Sequence, residues 1–178
     1  MGKRSDFKRH KGDYYVTPPE AVGPLLPHLT SYVSSYRPPT FYEPCAGDYS
    51  LALWLEQNGF TCTGASDVEP KSPKVLQLDA FWLDRYKAEY FITNPPWTRE
   101  ILHPLINHLS RMAPTWLLFD ADWMHTKQAR PYLPYCHKIV SVGRVKWIKD
   151  SPHTGKDNAA WYLFQQNCNN NGPVFYGR

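Results

Sequence analysis

The fold of this chain is constrained most by a regular alternation of short apolar runs with amphipathic stretches, which begins at Thr40. Seven apolar runs are short enough to be strands; they cover residues 40–43, 60–65, 75–79, 90–93, 116–119, 137–142 and 159–165. Helical patterns lie between some of these runs, over residues 49–58 and 99–111, and a further helical stretch with Trp123 and Ala129 follows the fifth run and is broken by Pro131 and Pro134. Strands that alternate with helices predict a mostly parallel sheet with helices on both faces. The last two runs predict an antiparallel hairpin at the end of the sheet.

The length of 178 residues favours one domain with a core of its own. We expect this domain to span residues 14–166, with a basic tail over residues 1–13 and a C-terminal tail over residues 167–178. At the start of the domain, Thr17 is predicted to cap a short helix that opens with prolines. The net charge of +4 permits a polyanionic partner without requiring one.

The four cysteines form no C-x-x-C pair, and no histidine stands near them at the spacing of zinc ligands. We therefore expect reduced thiols, an intracellular location and no metal site. No run of about 18 apolar residues is present, and the basic N-terminus lacks the apolar segment of a signal peptide. The sequence therefore predicts no association with a membrane.

Acidic or polar side chains stand at the ends of four successive predicted strands. Glu43 ends the first strand, Asp67 follows the second, Asp79 ends the third and Asn94 follows the fourth. In parallel sheets of alternating strands and helices, ligands bind at the carboxyl ends of the strands. We therefore expect these four side chains to converge on one binding site.

The residue types at these strand ends favour a ligand that carries a positive charge and no phosphate. The first turn has neither the G-x-G-x-x-G pattern nor a P-loop, and no lysine or arginine lies between Glu43 and Gln57. Glu43 offers a negative charge to a cation, and Asp67 stands where a ribose diol is commonly bound. Asp79 offers an acceptor to an exocyclic amine, with Phe81 beside an adenine face. This combination fits S-adenosylmethionine better than NAD or ATP.

The ordered motifs resemble those of the amino-methylating DNA methyltransferases. They are Glu43-Pro44-Cys45-Ala46-Gly47-Asp48, Asp67, Asp79-Ala80-Phe81 and Asn94-Pro95-Pro96-Trp97, preceded by Tyr15-Val16-Thr17-Pro18-Pro19. The resemblance covers roughly residues 14–165 and is specific because the separate motifs occur in the family's order. It implies a Rossmann-like class I methyltransferase fold, which is an α/β fold with a seven-stranded, mostly parallel sheet.

The resemblance also implies a role for each matching residue. Glu43 would pair with the amino group of the cofactor, Asp67 would bind the ribose hydroxyls, and Asp79 would meet the adenine amine. The implied cofactor-binding set is Tyr15, Thr17, Pro18, Glu43, Pro44, Cys45, Ala46, Gly47, Asp67, Val68, Asp79, Ala80, Phe81 and Asn94. The implied catalytic set is Asn94, Pro95, Pro96 and Trp97, in which Trp97 would stack on the target base.

The Asn-Pro-Pro-Trp segment suits the activation of a planar amine. The lone pair of such an amine is delocalised into the ring, so the amine is a poor nucleophile. Acceptors on Asn94 and on the carbonyl of Pro95 would draw the nitrogen towards a tetrahedral shape and free its lone pair for in-line attack. This is catalysis by positioning and electrostatics without a covalent enzyme intermediate. Proline fixes φ and removes donors, so the segment presents its acceptors rigidly.

The chain departs from the family pattern in two respects. The family usually has a second glycine in the first turn, at the position held by Tyr49, where a side chain is expected to crowd or cover the cofactor. Residues 80–93 and 166–178 leave no room for a target-recognition domain, so specificity must come from loops or be low. The best candidate is the loop 143–157, where basic residues surround an aromatic one. This pattern suits a nucleic acid, because basic side chains contact its phosphates and an aromatic ring stacks on a base. Its predicted contacts are Arg144, Lys146, Trp147, Lys149, His153 and Lys156.

We therefore predict an S-adenosylmethionine-dependent enzyme that methylates the exocyclic N6 of adenine in DNA, with the base flipped out of its stack. Its small size suggests a phage or mobile-element product, in the cytoplasm of a bacterium or an infected host. An RNA methyltransferase acting on adenine N6 or guanine N2 is the first alternative, because the same motif serves there. A protein glutamine N-methyltransferase and a nucleic-acid-binding protein without activity are two further alternatives. The recognition sequence and the oligomeric state stay open.

Overall fold

A computed structural model describes residues 15–30, 36–84, 86–148, 155–166 and 171–178. Three α-helices lie in these segments: α1 (Pro19–Val22), α2 (Ser50–Gln57) and α3 (Arg99–Met112). The strands are β1 (Thr40–Glu43), β2 (Thr61–Asp67), β3 (Leu76–Gln77), β4 (Tyr90–Thr93), β5 (Thr115–Asp120), β6 (Cys136–Arg144), β7 (Asn158–Phe164) and β8 (Val174–Tyr176). Short 3₁₀ helices cover Gly23–His28, Ala80–Trp82, Ala121–His125, Lys127–Ala129 and Leu133–Tyr135.

The strands form one sheet in the order β3-β2-β1-β4-β5-β7-β6-β8. Strands β1 to β5 pair in parallel, whereas β7 is antiparallel to both β5 and β6. The predicted α/β class, the mostly parallel sheet and the antiparallel hairpin near its end are therefore confirmed. Because β5 and β6 both run antiparallel to β7, β6 points in the same direction as β5. The carboxyl end of β6 therefore lies at the same end of the sheet as the carboxyl ends of β1 to β5.

The predicted C-terminal tail is wrong for its last residues, which form an eighth strand. Val174–Tyr176 pairs in parallel with β6, and the ring of Tyr176 lies 4.4 Å from that of His28. The strand is only three residues long and follows an Asn-rich, Gly-Pro segment, so no run of alternating residues marks it in the sequence. Its pairing with β6 comes from tertiary contact with an otherwise open sheet edge.

Both faces of the sheet are covered, and the strand side chains alternate between two apolar layers, as pleated strands require. Helices α1 and α2 pack on one face and α3 packs on the other. The first layer includes Ala21, Val22, Leu51, Leu55, Tyr90, Ile92, Trp116 and Leu118, and the second includes Phe91, Leu102, Leu105, Ile106, Leu109, Leu117 and Phe119. Both layers contain several side chains with no exposed surface, so the sheet is a rigid base for its strand ends.

Two local predictions need correction. Thr17 does not cap α1: the helix begins at Pro19, its cap residue is Pro18, and no side chain caps it. The hydroxyl of Thr17 instead accepts a hydrogen bond from Asn94, a residue 77 positions away. The stretch after β5, predicted to be helical, forms separate 3₁₀ turns, because Pro131 and Pro134 prevent a continuous α-helix. Within the described segments, no helix is long and apolar enough to cross a lipid bilayer.

Candidate active site

The candidate site is a cleft of about 380 Å³ at the carboxyl ends of the central strands. The chain places β2 and β3 on one side of β1 and then crosses to β4 and β5 on the other side. The strand order therefore reverses between β1 and β4, which is where sheets of this kind bind ligands. The cleft is lined by Tyr15, Thr17, Glu43, Pro44, Cys45, Ala46, Gly47, Asp48, Leu51, Asp67, Val68, Glu69, Lys71, Asp79, Ala80, Phe81, Asn94, Pro96, Ile101 and Leu105.

The turn after β1 is held in place by the neighbouring strand ends. The amide of Ala46 donates to the carbonyl of Ser66 at 2.9 Å, and the amide of Gly47 donates to Asp67 Oδ2 at 2.9 Å. On its other side, the hydroxyl of Thr93 donates to the carbonyl of Cys45 at 3.4 Å. These bonds draw the ends of β1, β2 and β4 together around the cleft.

Glu43 lies beneath this turn and is almost completely buried, with 2% of its surface exposed. Its Oε2 accepts a hydrogen bond of 3.0 Å from the amide of Ala52 in the first turn of α2, the positive end of that helix. Burial nevertheless raises the pKa of Glu43 well above 4.5, and the neighbouring carboxylates of Asp48 and Asp67 raise it further. A cation that enters the cleft would oppose this shift, because a nearby positive charge favours the ionised form of a carboxyl group.

Asp67 and Asp79 follow β2 and β3 and present carboxyl oxygens at the rim of the cleft. Asp67 accepts bonds from the amides of Gly47 and Glu69, at 2.9 and 2.8 Å, one on each oxygen. Asp79 accepts the amide of Phe81 at 3.0 Å and so begins a 3₁₀ turn. Each carboxyl oxygen has two lone pairs, so both residues retain acceptor capacity for a ligand. Val68 and Phe81 are 60% and 40% exposed, and each offers apolar surface beside one of these acids.

Tyr49 does not line the cleft, contrary to the expectation that its side chain crowds or covers this site. Its backbone adopts the left-handed conformation, with φ of 76°, and this explains why a glycine suits the position. The ring packs towards the core with Cys62, and the ammonium group of Lys74 lies 5.0 Å from the ring centre. The turn therefore keeps the shape that a glycine would give it, at a cost of roughly 1–2 kcal/mol in backbone strain.

The side chain of Asn94 is held at both of its polar atoms. Its Nδ2 donates to the hydroxyl of Thr17 at 3.2 Å, and its Oδ1 accepts from the indole Nε1 of Trp97, also at 3.2 Å. The same Nε1 donates to the carbonyl of Leu118 in β5 at 3.1 Å. Asn94 thus lies in the cleft with a defined amide orientation, between the N-terminal segment and β5.

The loop after β6 brings a second tryptophan to this region. Trp147 lies edge-on to Trp97, with ring centres 5.6 Å apart and planes at 88°, and it lies 6.4 Å from the ring of Tyr15. Trp147 is half-buried against the first apolar layer. Three aromatic rings therefore border the region beside Asn94.

Basic side chains precede and follow Trp147 in the chain, at the end of β6 and in the segment after it. Arg144, Lys146 and Lys156 are exposed. Arg178 joins them: a Cβ on Gly143 would lie 2.9 Å from its guanidinium group, and Gly143 has φ of 82°. Sequence reasoning missed Arg178 because that segment was predicted to be a tail. Lys149 and His153 lie outside the described residues.

The structure brings together most of the predicted site. All of the predicted cofactor-binding residues line the cleft except Pro18. Of the predicted catalytic residues, Asn94 and Pro96 line it, whereas Pro95 and Trp97 do not. The lining residues that sequence reasoning missed are Asp48, Leu51, Glu69, Lys71, Ile101 and Leu105. Asp48 and Glu69 directly follow the predicted residues Gly47 and Val68, so they could have been predicted from the sequence. Ile101 and Leu105, four positions apart on α3, were not, because helical spacing does not indicate which end of a helix borders a cleft.

The cleft has a strongly acidic lining. Among the described residues that line it are five carboxyl side chains, Glu43, Asp48, Asp67, Glu69 and Asp79, and one lysine, Lys71. Lys71 is paired with Glu69 at 2.8 Å. This balance disfavours phosphate groups and favours a cation. Within the described segments, no cluster of three or more His, Cys, Asp or Glu side chains is arranged to hold a metal ion.

No protein-family model and no curated protein matches the chain by sequence. Solved structures do match. A dimethyladenosine transferase from Plasmodium falciparum aligns with a TM-score of 0.54 and 14% identity, over 85% of this chain and 62% of its own. A protein provisionally assigned as an RNA methyltransferase from Pyrococcus horikoshii aligns with a TM-score of 0.58 and 16% identity, over 92% of this chain and 93% of its own. A chain of a type I restriction–modification system aligns with a TM-score of 0.57 and 13% identity, over 96% of this chain and 46% of its own.

These similarities show the fold. The chain has the Rossmann-like class I methyltransferase fold, as predicted, with an eight-stranded sheet in place of the expected seven. It spans less than two thirds of the Plasmodium enzyme and less than half of the restriction–modification chain, but nearly all of the Pyrococcus protein.

Proposed function

We propose that this protein transfers a methyl group from S-adenosylmethionine to the exocyclic N6 of adenine in DNA, with the base flipped into the site beside Asn94. The observation that carries the proposal is the shared cleft: Asn94, at the end of β4, opens into the same cavity as Glu43, Asp67 and Asp79. An amide acceptor for an amine and a set of acids for a cationic nucleoside therefore face each other across neighbouring strands.

The cleft fits this cofactor in charge, size and polarity. Its volume of about 380 Å³ is within the range of small-molecule sites. Glu43 is placed to pair with an ammonium group, Asp67 with vicinal hydroxyls and Asp79 with an adenine amine. When bound, S-adenosylmethionine supplies an electrophilic methyl group. The raised pKa of Glu43 also fits, because a buried carboxyl that disfavours its own charge gains most from a cationic partner.

Asn94 and the prolines that follow it are proposed to activate the target amine. The carbonyl oxygen of Asn94, which lines the cleft, accepts one hydrogen bond from the amine. The backbone carbonyl of Pro95, a residue that lies between Asn94 and the cleft-lining Pro96, is proposed to accept the other. The nitrogen lone pair then turns away from the ring and towards the methyl group. Cysteine chemistry has no part in this step, since burial raises the pKa of Cys45 and keeps its thiol protonated.

The polymer is proposed to bind along the edge of the sheet where β6 ends. Arg144, Lys146, Lys156 and Arg178 supply phosphate contacts, and Trp147 with Trp97 supplies aromatic surface for the flipped base. RNA is the second candidate, because the Pyrococcus protein that matches over nearly its whole length is assigned as an RNA methyltransferase. The amine is proposed to be that of adenine, in keeping with the dimethyladenosine transferase that shares the fold.

Methyl transfer from labelled S-adenosylmethionine to matched DNA and RNA oligonucleotides tests the proposal directly. Product analysis for N6-methyladenine identifies the base and the atom. We expect the DNA substrate to be methylated, and methylation of RNA alone would replace DNA by RNA in the proposal. Calorimetry with S-adenosylmethionine provides a separate test, and a failure to bind would refute the enzymatic function altogether.

Two variants separate the proposed roles. Asn94→Ala is expected to abolish transfer while cofactor affinity stays within a few-fold of wild type, because Asn94 acts on the amine. Asp67→Ala is expected to have the opposite effect and to weaken cofactor binding, since it removes an acceptor for the ribose and a hydrogen bond that holds the turn at Gly47. An Asn94→Ala variant that loses the cofactor instead would contradict the assigned role.

A further inference from the structure

The tryptophan of the Asn-Pro-Pro-Trp segment makes a contact that base stacking does not explain. The indole N–H of Trp97 is shared between two acceptors, Asn94 Oδ1 at 3.2 Å and the carbonyl oxygen of Leu118 at 3.1 Å. The residue is half-buried and packs against both apolar layers. Its polar atom is therefore directed at the side chain that the proposed reaction depends on.

The chemistry of these groups fixes the orientation of the Asn94 amide. An indole N–H is only a donor, so the atom of Asn94 that faces it must be the oxygen. The amide nitrogen then points at the hydroxyl of Thr17, which accepts at 3.2 Å. The contact with Thr17 alone would not fix this orientation, because a hydroxyl can donate as well as accept. With both contacts, one oxygen lone pair is engaged and one is left for a substrate amine.

The two contacts also tune the acceptor. Donation from the amide nitrogen to Thr17 polarises the amide and increases the negative charge on its oxygen, because linked hydrogen bonds reinforce one another. Leu118 anchors the opposite end, since it is a fully buried residue of the central strand β5. Thr17, which is 5% exposed, is similarly buried. The amide of Asn94 is thus held between two rigid points.

From this arrangement we propose that Trp97 is a positioning residue, whose indole N–H aims the carbonyl oxygen of Asn94 at the methyl-accepting amine, with Thr17 holding the amide nitrogen. The proposal rests on the proposed function for the identity of the acceptor amine. It assigns to Trp97 a role that phenylalanine cannot fill, although phenylalanine offers an aromatic face for stacking.

The test compares Trp97→Phe with wild type for methyl transfer to unmethylated genomic DNA or, should RNA prove to be the substrate, to the RNA oligonucleotide. Loss of the N–H is expected to lower kcat about 10- to 100-fold, as misplacement of a catalytic group does. KM for the polymer and Kd for the cofactor are expected to stay within about threefold, because the ring remains. Thr17→Val, which cannot accept from the amide, is expected to lower kcat in the same way, and Thr17→Ser is expected to recover most of that loss.

Trp161→Phe is the matched control for a purely structural effect. The indole N–H of Trp161 donates to the carbonyl of Ala21 at 2.7 Å, and the residue is fully buried in the same apolar layer. This variant also loses a tryptophan hydrogen bond, but one that has no link to Asn94. It is expected to lose stability in urea with little change in kcat. An equal fall in kcat for the two variants would overturn the positioning role.

Two further outcomes would refute the proposal. Wild-type kcat in Trp97→Phe would mean that the aromatic face is sufficient, and a rise in KM with unchanged kcat would mean that Trp97 serves only to bind the base. If wild type methylates neither DNA nor RNA, the proposed function fails, and NMR then decides the geometry alone. The Trp97 indole N–H resonance, assigned by its loss in Trp97→Phe, is expected to shift in Asn94→Ala and not in the surface variant Asn58→Ala. An unmoved resonance would show that the contact does not form.

Discussion

Replacing Glu43 by glutamine is expected to stabilise the ligand-free protein and, at the same time, to weaken strongly its affinity for a cationic cofactor. The substitution preserves the shape of the side chain and an oxygen that can accept from the amide of Ala52. It removes a group that is 2% exposed, that lies near Asp48 and Asp67, and whose pKa is raised well above 4.5 by burial. One side chain therefore carries a stability cost that ligand binding offsets.

The size of the effect follows from proton linkage. Well below pH 4.5 the carboxyl holds its proton in both the folded and the unfolded protein, and Glu43 carries no cost. As the pH rises, the unfolded chain releases its proton first and the folded protein lags behind. The free energy of unfolding of wild type therefore falls, relative to Glu43→Gln, by up to about 1.4 kcal/mol per pH unit until the folded group also ionises. For a domain of this size, this corresponds to about 3–6 °C in Tm per pH unit.

Urea denaturation of both proteins at half-unit steps from pH 4.5 to 7.5 measures this difference. The stability advantage of Glu43→Gln should be smallest at pH 4.5 and should grow as the pH rises. An advantage that does not change with pH would show that Glu43 titrates alike in the folded and unfolded states, and the argument from burial would then be wrong. Calorimetry completes the test: wild-type affinity for S-adenosylmethionine should rise from pH 5 to 7, and Glu43→Gln should bind much more weakly and without this pH dependence.

Three further outcomes are expected. Tyr49→Gly should be about 1 kcal/mol more stable than Tyr49→Ala in urea denaturation, since both variants lose the ring but only alanine is strained in the left-handed backbone conformation. The reverse order of stability would show that the backbone is not strained at this position. Arg144→Ala combined with Lys146→Ala should reduce the slope of log K for DNA against log salt by about 2 in anisotropy titrations, and an unchanged slope would exclude both as phosphate contacts. Glu89→Ala should cost about 1–3 kcal/mol of unfolding free energy, because its carboxylate accepts from both the amide and the hydroxyl of Thr40; a neutral variant would mean that water replaces these bonds.

The sequence predicted the central strands and the acids at their ends because both depend on local patterns. The bounds of β1 and β4 agree residue for residue with the predicted strands 40–43 and 90–93. Both strands are apolar runs that end at turn residues, so their limits are marked in the sequence. Once the sheet is parallel, its carboxyl ends must share an edge, and the convergence of Glu43, Asp67, Asp79 and Asn94 follows from topology.

The contacts that give the site its geometry could not be predicted in this way. The hydrogen bond between Thr17 and Asn94 joins residues 77 positions apart, and the bond between Trp97 and Leu118 depends on how β4 and β5 lie side by side. Residue type indicates that Thr17 can cap a helix, and that local option competes with a distant partner. Here the distant partner prevails: Pro18 occupies the cap position of α1, and no side chain caps the helix.

The position of Glu43 links cofactor binding to the helix that follows. Tyr49, the cap residue of α2, makes no side-chain cap, and the amide of Ala52 in the first turn is satisfied by Glu43 instead. A cation in the cleft favours the ionised form of Glu43, which is a charge-assisted acceptor at the positive end of α2, where a negative charge stabilises the helix. Binding should therefore slow hydrogen exchange at the Ala52 amide in wild type and leave it unchanged in Glu43→Gln under a large excess of cofactor. Equal protection in both proteins would show that the helix is held independently of the charge, and Glu43 would then be a ligand for the cofactor alone.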